Sequence, residues 1–354
     1  MAFTNIDNPE LYMQSKLYTG NGVSGTALTF DNTDTSMQPD WIWGSCRSVG
    51  DNNWVMDSVR GNTKAVFTNT QGNEETSSER VKSFDSNGFT IGNAGDTNTS
   101  SRTFVAWCWK AGTSFSNDAS ATGVGTIDSS GSANDTAGFS IVSFTGTGSA
   151  GTIKHGLTTA PSWMIVKNRD NNGENWVSFH RTLGAGKNQK LNNTEASQTT
   201  SGSWNDTLPT SSVFSVGSFT NVNASGDAMI AYIFSEVQGY SRFTQYVGNG
   251  DADGTFVYLG FKPSWLMIKS TGNAESWFIY DNKRPGFNVN VNLLNANNSD
   301  AEVTSGANQI DILSNGFKCR ATNNGVNRSG DVFNVFAFAE SPLTNSNGVP
   351  NNAR

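Results

Sequence analysis

At 354 residues, with 15% of positions charged and a formal net charge of −7, the sequence excludes a single small domain and a surface built to neutralise phosphates, so no nucleic-acid partner is expected. Glycine (37 residues) with Asn, Ser and Thr replaces the missing charge, which disfavours long amphipathic helices and predicts an all-β chain with frequent turns. Three cysteines, Cys46, Cys108 and Cys319, are odd in number and contain no CxxC pair, so neither a disulfide framework nor a zinc site is expected.

The first 20 residues lack a basic stretch followed by an apolar run, and no run of 18 apolar residues follows anywhere, so synthesis in a cytoplasm without membrane insertion is expected. Leu17–Gly25, LYTGNGVSG, reads as a strand entering a glycine turn, and it recurs as SFTGTGSAG at 143–151 and QYVGNGDADG at 245–254. Next comes a Pro-x-Trp start: Pro39 with Trp41, Pro161 with Trp163, and Pro263 with Trp265. A second tryptophan follows 13, 13 and 12 residues later, at Trp54, Trp176 and Trp277.

Downstream, FDSNGFTIG at 84–92, PTSSVFSVG at 209–217 and ILSNGFKCR at 312–320 each read as a turn feeding a strand. Aromatic-rich strands close each copy: FVAWCWKAG at 104–112, MIAYIFSEV at 229–237 and NVFAFAESP at 334–342. The intervals from Trp41 to Ala106, Trp163 to Ala231 and Trp265 to Val335 are 65, 68 and 70 residues, which makes three diverged copies of one unit. Several short strands per copy predict three tandem β-sandwich units, jelly-roll or lectin-like. The expected boundaries are 1–112 with an N-terminal arm, 113–137 as a Gly/Ser/Asn-rich linker or arm, 138–240, and 241–354 with a polar tail. In TFVAWCW both faces are apolar, so the second face needs cover from a neighbouring unit or a partner subunit.

Chemistry is sparse. His155 and His180 stand in no metal-ligand spacing, and no nucleophile, phosphate-loop or dinucleotide motif occurs. Carboxylates recur at Glu74 or Glu75, Glu195 and Glu302, and again at Glu236 and Glu340, where the first copy has Lys110; a glycosidase pair needs little more, but a shared structural role is the favoured reading. Asp251 and Asp253, in GNGDADG at 248–254, suit either calcium or a turn closed by Asx hydrogen bonds, with the turn favoured. Arg60, Arg181 and Arg284 follow the second tryptophans and are read as ion-paired or ring-stacked rather than ligand-binding. No catalytic, cofactor-binding or metal residue is therefore assigned.

The run of NPELYMQSKLYTGNG, QPDWIW, DSVRG, FDSNGFTIG, FVAWCWKAG, AGFSIVSFTGTG, HGLTTAPSWMIVKNR, SEVQGYSRFTQYVGNG, FVYLGFKPSWLMIK and the final FAESP with NAR resembles the repeat domain found in virion proteins of marine tailed phages, cyanophages among them. The likeness covers nearly the whole chain and departs from the pattern at Gly44-Ser-Cys46-Arg47. It implies a structural component of the particle, tail- or fibre-associated or decorating the head, with other virion proteins and copies of itself as partners. It supplies no catalytic residues. The alternative is a module that recognises host-surface glycan, and a glycan depolymerase is the least favoured.

Overall fold

A computed structural model describes residues 4–32 and 35–352. The N-terminal residues 1–3 and the last two positions of the polar tail, 353–354, lie outside the described residues. The protein is all-β, with several open sheets. Its three large sheets share one strand order.

The first large sheet runs Met13–Thr19, Thr103–Trp109, Trp41–Cys46, Trp54–Asp57, Lys64–Phe67, Glu75–Thr76. In the second, the corresponding strands are Phe139–Thr145, Ala228–Phe234, Trp163–Asn168, Val177–His180, Lys187–Lys190 and Gln198–Thr199. The third has Ser241–Val247, Val332–Pro342, Phe261–Ser270, Phe278–Asp281 and Leu294–Asn295. Every pairing is antiparallel, and the register coincides: Trp41 opposes Trp109, Trp163 opposes Phe234, and Trp265 opposes Phe338. Gly44, Val166 and Ile268 likewise oppose Ala106, Ala231 and Val335.

One face of each large sheet covers a small sheet: Thr26–Thr29, Gly88–Ile91 and Val81–Asp85 for the first, Gly151–Lys154 and Val213–Val216 for the second, and Phe256–Tyr258, Gly316–Cys319 and Ile310–Leu313 for the third. Alternation sends Ile42, Met164, Val166, Leu266 and Ile268 to these local cores. The intervening residues Trp41, Trp43, Trp163, Ile165, Trp265 and Met267 point the other way, into one cluster that all three large sheets share. The second apolar face of the 103–109 strand is therefore covered from within the chain: Val105, Trp107 and Trp109 join that cluster.

Aromatic contacts in this shared core run in a cycle. Trp41 stacks on Tyr232 at 4.8 Å between centroids, Trp163 meets Phe336 at 4.9 Å, and Trp265 meets Trp109 edge-on at 5.5 Å. The close packing has a polar cost: Nε1 of Trp41, Trp43, Trp109 and Trp265 is buried without a hydrogen-bond partner among the described residues.

The glycine turns owe their recurrence to a buried asparagine. Asn98, Asn223 and Asn327 end four-residue helices, and each Oδ1 accepts the amide of the residue after the first turn glycine: Asn21 (2.9 Å), Thr147 (2.8 Å) and Asn249 (3.0 Å). A Cβ on that first glycine, Gly20, Gly146 or Gly248, would lie 2.2, 2.1 or 2.3 Å from a carbonyl oxygen just after the asparagine. Only glycine admits so close an approach.

Two sequence expectations need correction. The 113–137 segment, read as a linker or arm, carries the strands Thr113–Asn117 and Ser129–Asn134, which extend the second sheet beyond Phe139–Thr145 to eight strands. Its polar composition suits a sheet margin whose outer positions meet water. The second tryptophans are also not equivalent. Trp54 opposes Phe67, whereas Val177 opposes Lys190 and Phe278 opposes Asn295, so Asn53 holds the position of Trp176 and Trp277. A one-residue offset in a strand exchanges faces. Trp54 accordingly enters the local core, over Gly44, where an added Cβ would lie 2.1 Å from its ring, while Trp176 and Trp277 enter the shared one.

Candidate functional site

The recurring charged residues lie mainly at the junctions between large sheets. Asp57 and Arg60 are fully buried, joined at 2.5 Å, and Arg60 also reaches Glu74 (3.0 Å). From the second sheet, Tyr232 donates its hydroxyl hydrogen to Asp57 (2.7 Å), and Arg169 binds both oxygens of Glu74 (2.8 and 3.0 Å). Burial lowers the Arg60 pKa, but Asp57, Tyr232 and Glu74 outweigh it and hold the guanidinium pKa above its ordinary value. Burial likewise disfavours the Glu74 carboxylate, yet Arg169 and Arg60 bring its pKa below the usual range.

The junction of third and first sheets repeats this arrangement. Arg284 pairs with Asp281 (2.6 Å) and Glu302 (3.2 Å), Trp107 donates Nε1–H to Asp281 (2.9 Å), and Arg47 binds Glu302 (2.8 Å). Burial of Asp281 is overcome chiefly by Arg284, which lowers its pKa.

At the remaining junction, second to third, the same positions are uncharged. His180 replaces Asp57 and Asp281 in register and packs edge-on against Phe336, 4.9 Å between centroids. Phe336 stands where the other junctions have Tyr232 and Trp107, and it has no donor to offer an acid. Ser197, whose amide bonds to Thr271 O as Glu74 bonds to Arg169 O and Glu302 to Arg47 O, replaces the glutamate.

These placements sort the candidates. Glu74 and Glu302 are equivalent, but Glu195 lies two residues from their counterpart and pairs with Lys190 (2.9 Å), while Glu75 pairs with Arg80 (2.9 Å). Glu236 pairs with Arg242 (3.3 Å) and Glu340 with Lys262 (3.2 Å); by register their counterpart is Ala111, not Lys110. His155 and His180 are buried, and burial pushes both pKa values down to about 4. Asp251 accepts the Asp253 amide (2.8 Å), and Asp253 pairs with Lys318 and, at 3.4 Å, with Arg320. Among the described residues no group of three His, Cys, Asp or Glu side chains could hold a metal ion.

Arg60 and Arg284 are ion-paired as expected, and Arg284 also lies over the Trp107 ring at 5.7 Å. Arg181 is not their equivalent. It directly follows His180, in register with Ser58 and Asn282, and the three amides make the same bond: Ser58 to Asp40 O (2.8 Å), Arg181 to Ser162 O (2.8 Å), Asn282 to Ser264 O (2.9 Å).

This position lines one cleft in each third of the molecule. In the first, of about 440 Å³, Ser58 is held by Asp40 (2.8 Å). In another, of about 20 Å³, Asn282 is held by Glu340 (2.6 Å). The cleft between second and third sheets is the largest, about 540 Å³, lined by Arg181, Glu236, Arg242, Ser162, Tyr258 and Gly260 among others. There the Arg181 side chain is exposed and makes no hydrogen bond or ion pair among the described residues. Arg242 Nε is buried without a partner. The sequence reading missed Arg242 and Tyr258. Alignment on the residue after each strand-end Asp or His would have set Arg181 beside Ser58 and Asn282.

Compared with curated proteins and with solved structures, the chain finds no match. A family model described as a domain of unknown function, DUF7483, matches residues 8–342. The glycine turns, the three aromatic strands and every junction residue named above fall inside that span, and the chain belongs to the DUF7483 family.

Proposed function

We propose that the chain is a non-enzymatic structural protein of a tailed-phage particle, three tandem β-sandwich units placed at the particle surface as a tail-associated or head-decorating component. The phage setting rests on the sequence resemblance. The structural reading is supported chiefly by where the recurring acids go: Asp57 and Glu74, then Asp281 and Glu302, join neighbouring sheets through buried Arg60 and Arg284. A hydrolase would need such groups aimed at a substrate. Mass spectrometry and antibody labelling of purified particles test the proposal. The chain is expected in stoichiometric copies on the particle exterior, and its absence from purified particles would sink the assignment.

A second reading, recognition of host-surface glycan, is favoured by the polar cleft at Arg181 and Tyr258. Binding of the purified protein to a glycan array tests it.

A further inference from the structure

We infer that the cleft between the second and third large sheets is a binding site for an acidic sugar, with Arg181 and Arg242 holding the carboxylate. The inference rests on the glycan-recognition reading and specifies its ligand class. Three equivalent positions, Ser58, Arg181 and Asn282, face three clefts, and the Ser58 and Asn282 side chains are already hydrogen-bonded to their own neighbours, Asp40 and Glu340. In the third cleft a long cation replaces the short polar side chain, and among the described residues no acid pairs with it.

Arg242 offers a second guanidinium. Glu236 takes one of its terminal nitrogens at 3.3 Å and also accepts the Phe243 amide at 3.3 Å, and the Arg242 side chain, 42% exposed, keeps its other terminal nitrogen free of hydrogen bonds among the described residues. Two arginines against one glutamate leave the cleft positive on a chain whose net charge is −7. Guanidinium forks match carboxylates in geometry as well as charge, so an anion is favoured here. Tyr258, 54% exposed, lines the same cleft with its ring available to the apolar face of a sugar. A volume of about 540 Å³ falls in the range of small-molecule sites.

The test measures binding of the full chain to oligogalacturonate, to the matching neutral galactose oligomer and to acetate, by calorimetry and ligand-observed NMR. Oligogalacturonate is expected to bind at least tenfold more tightly than the other two. Arg181→Ala and Arg242→Ala should each weaken it tenfold or more, with an unchanged melting temperature for Arg181→Ala, whose side chain has no partner among the described residues. Equal binding of acidic and neutral oligomers overturns the acidic-sugar assignment but keeps glycan recognition. No binding of either oligomer overturns both. Acetate binding as tightly as oligogalacturonate reduces the site to a bare anion site, and binding that survives both substitutions removes it from this cleft.

Discussion

The hydroxyl of Tyr232 donates a 2.7 Å hydrogen bond to Oδ2 of Asp57, carrying a polar contact from the second large sheet into a fully buried ion pair of the first. Tyr232→Phe removes the donor and leaves the pocket otherwise intact. The expected loss is about 1–3 kcal/mol, read as a lower denaturant midpoint with unchanged slope.

Arg60→Met and Arg284→Met are expected to be more damaging. Each leaves a fully buried acid, Asp57 or Asp281, without its cation, while Glu74 and Glu302 keep Arg169 and Arg47. Removing one partner from a buried pair costs about 3–5 kcal/mol. Urea unfolding of the two variants checks this, and adding Asp57→Asn to Arg60→Met should restore part of the loss.

Acid should destabilise the protein in two stages. His155 and His180 have folded pKa values near 4, depressed by burial, against an unfolded value of 6.5. Between these limits the unfolded chain binds more protons, so stability falls as pH drops from about 6.5 towards 4, by up to about 3 kcal/mol per histidine. The lowered pKa values of Glu74 and Asp281 put their contribution lower still: it is present above the unfolded carboxylate pKa and lost as pH falls through the folded one. Melting temperature against pH, with His180→Phe flattening the upper stage, measures both.

Gly44→Ala is expected to destabilise by about 1–3 kcal/mol, because the new methyl group would sit 2.1 Å from the Trp54 ring. Combining it with Trp54→Val, which places at 54 the residue type of its register equivalent Val177, should cost less than the sum of the two single changes.

All three cysteines are buried, and burial raises the thiol pKa of Cys108 and, to about 11, of Cys319. A thiol reagent should therefore label the native protein slowly and the urea-unfolded protein at three sites.

Much of the fold was legible in the chain. The landmark at Ala106, Ala231 and Val335 falls on one register position in all three large sheets, because an aromatic strand with two apolar faces can sit only at the middle of the layers. The offset of Trp54 was hidden, since spacing from Trp41 crosses a turn whose length varies by one residue between copies. Asn98, Asn223 and Asn327 were also missed: the helices they end read GDTN, TNVN and NGVN and share little else. Each stands five residues before the aromatic strand begins, a spacing that would have exposed them. Arg181 looked like a third member of an arginine set because motif matching sees neighbours in sequence, while register depends on which residue faces the partner strand.

The three junctions are built on one plan with different chemistry: acid to phenol, acid to indole, imidazole to phenyl ring. Exchanging partners between them would bury Asp57 against Phe336, or leave the Tyr232 hydroxyl facing His180. The imidazole-to-phenyl junction is therefore keyed apart from the two acidic ones, which narrows the order in which three near-copies of one shape can close.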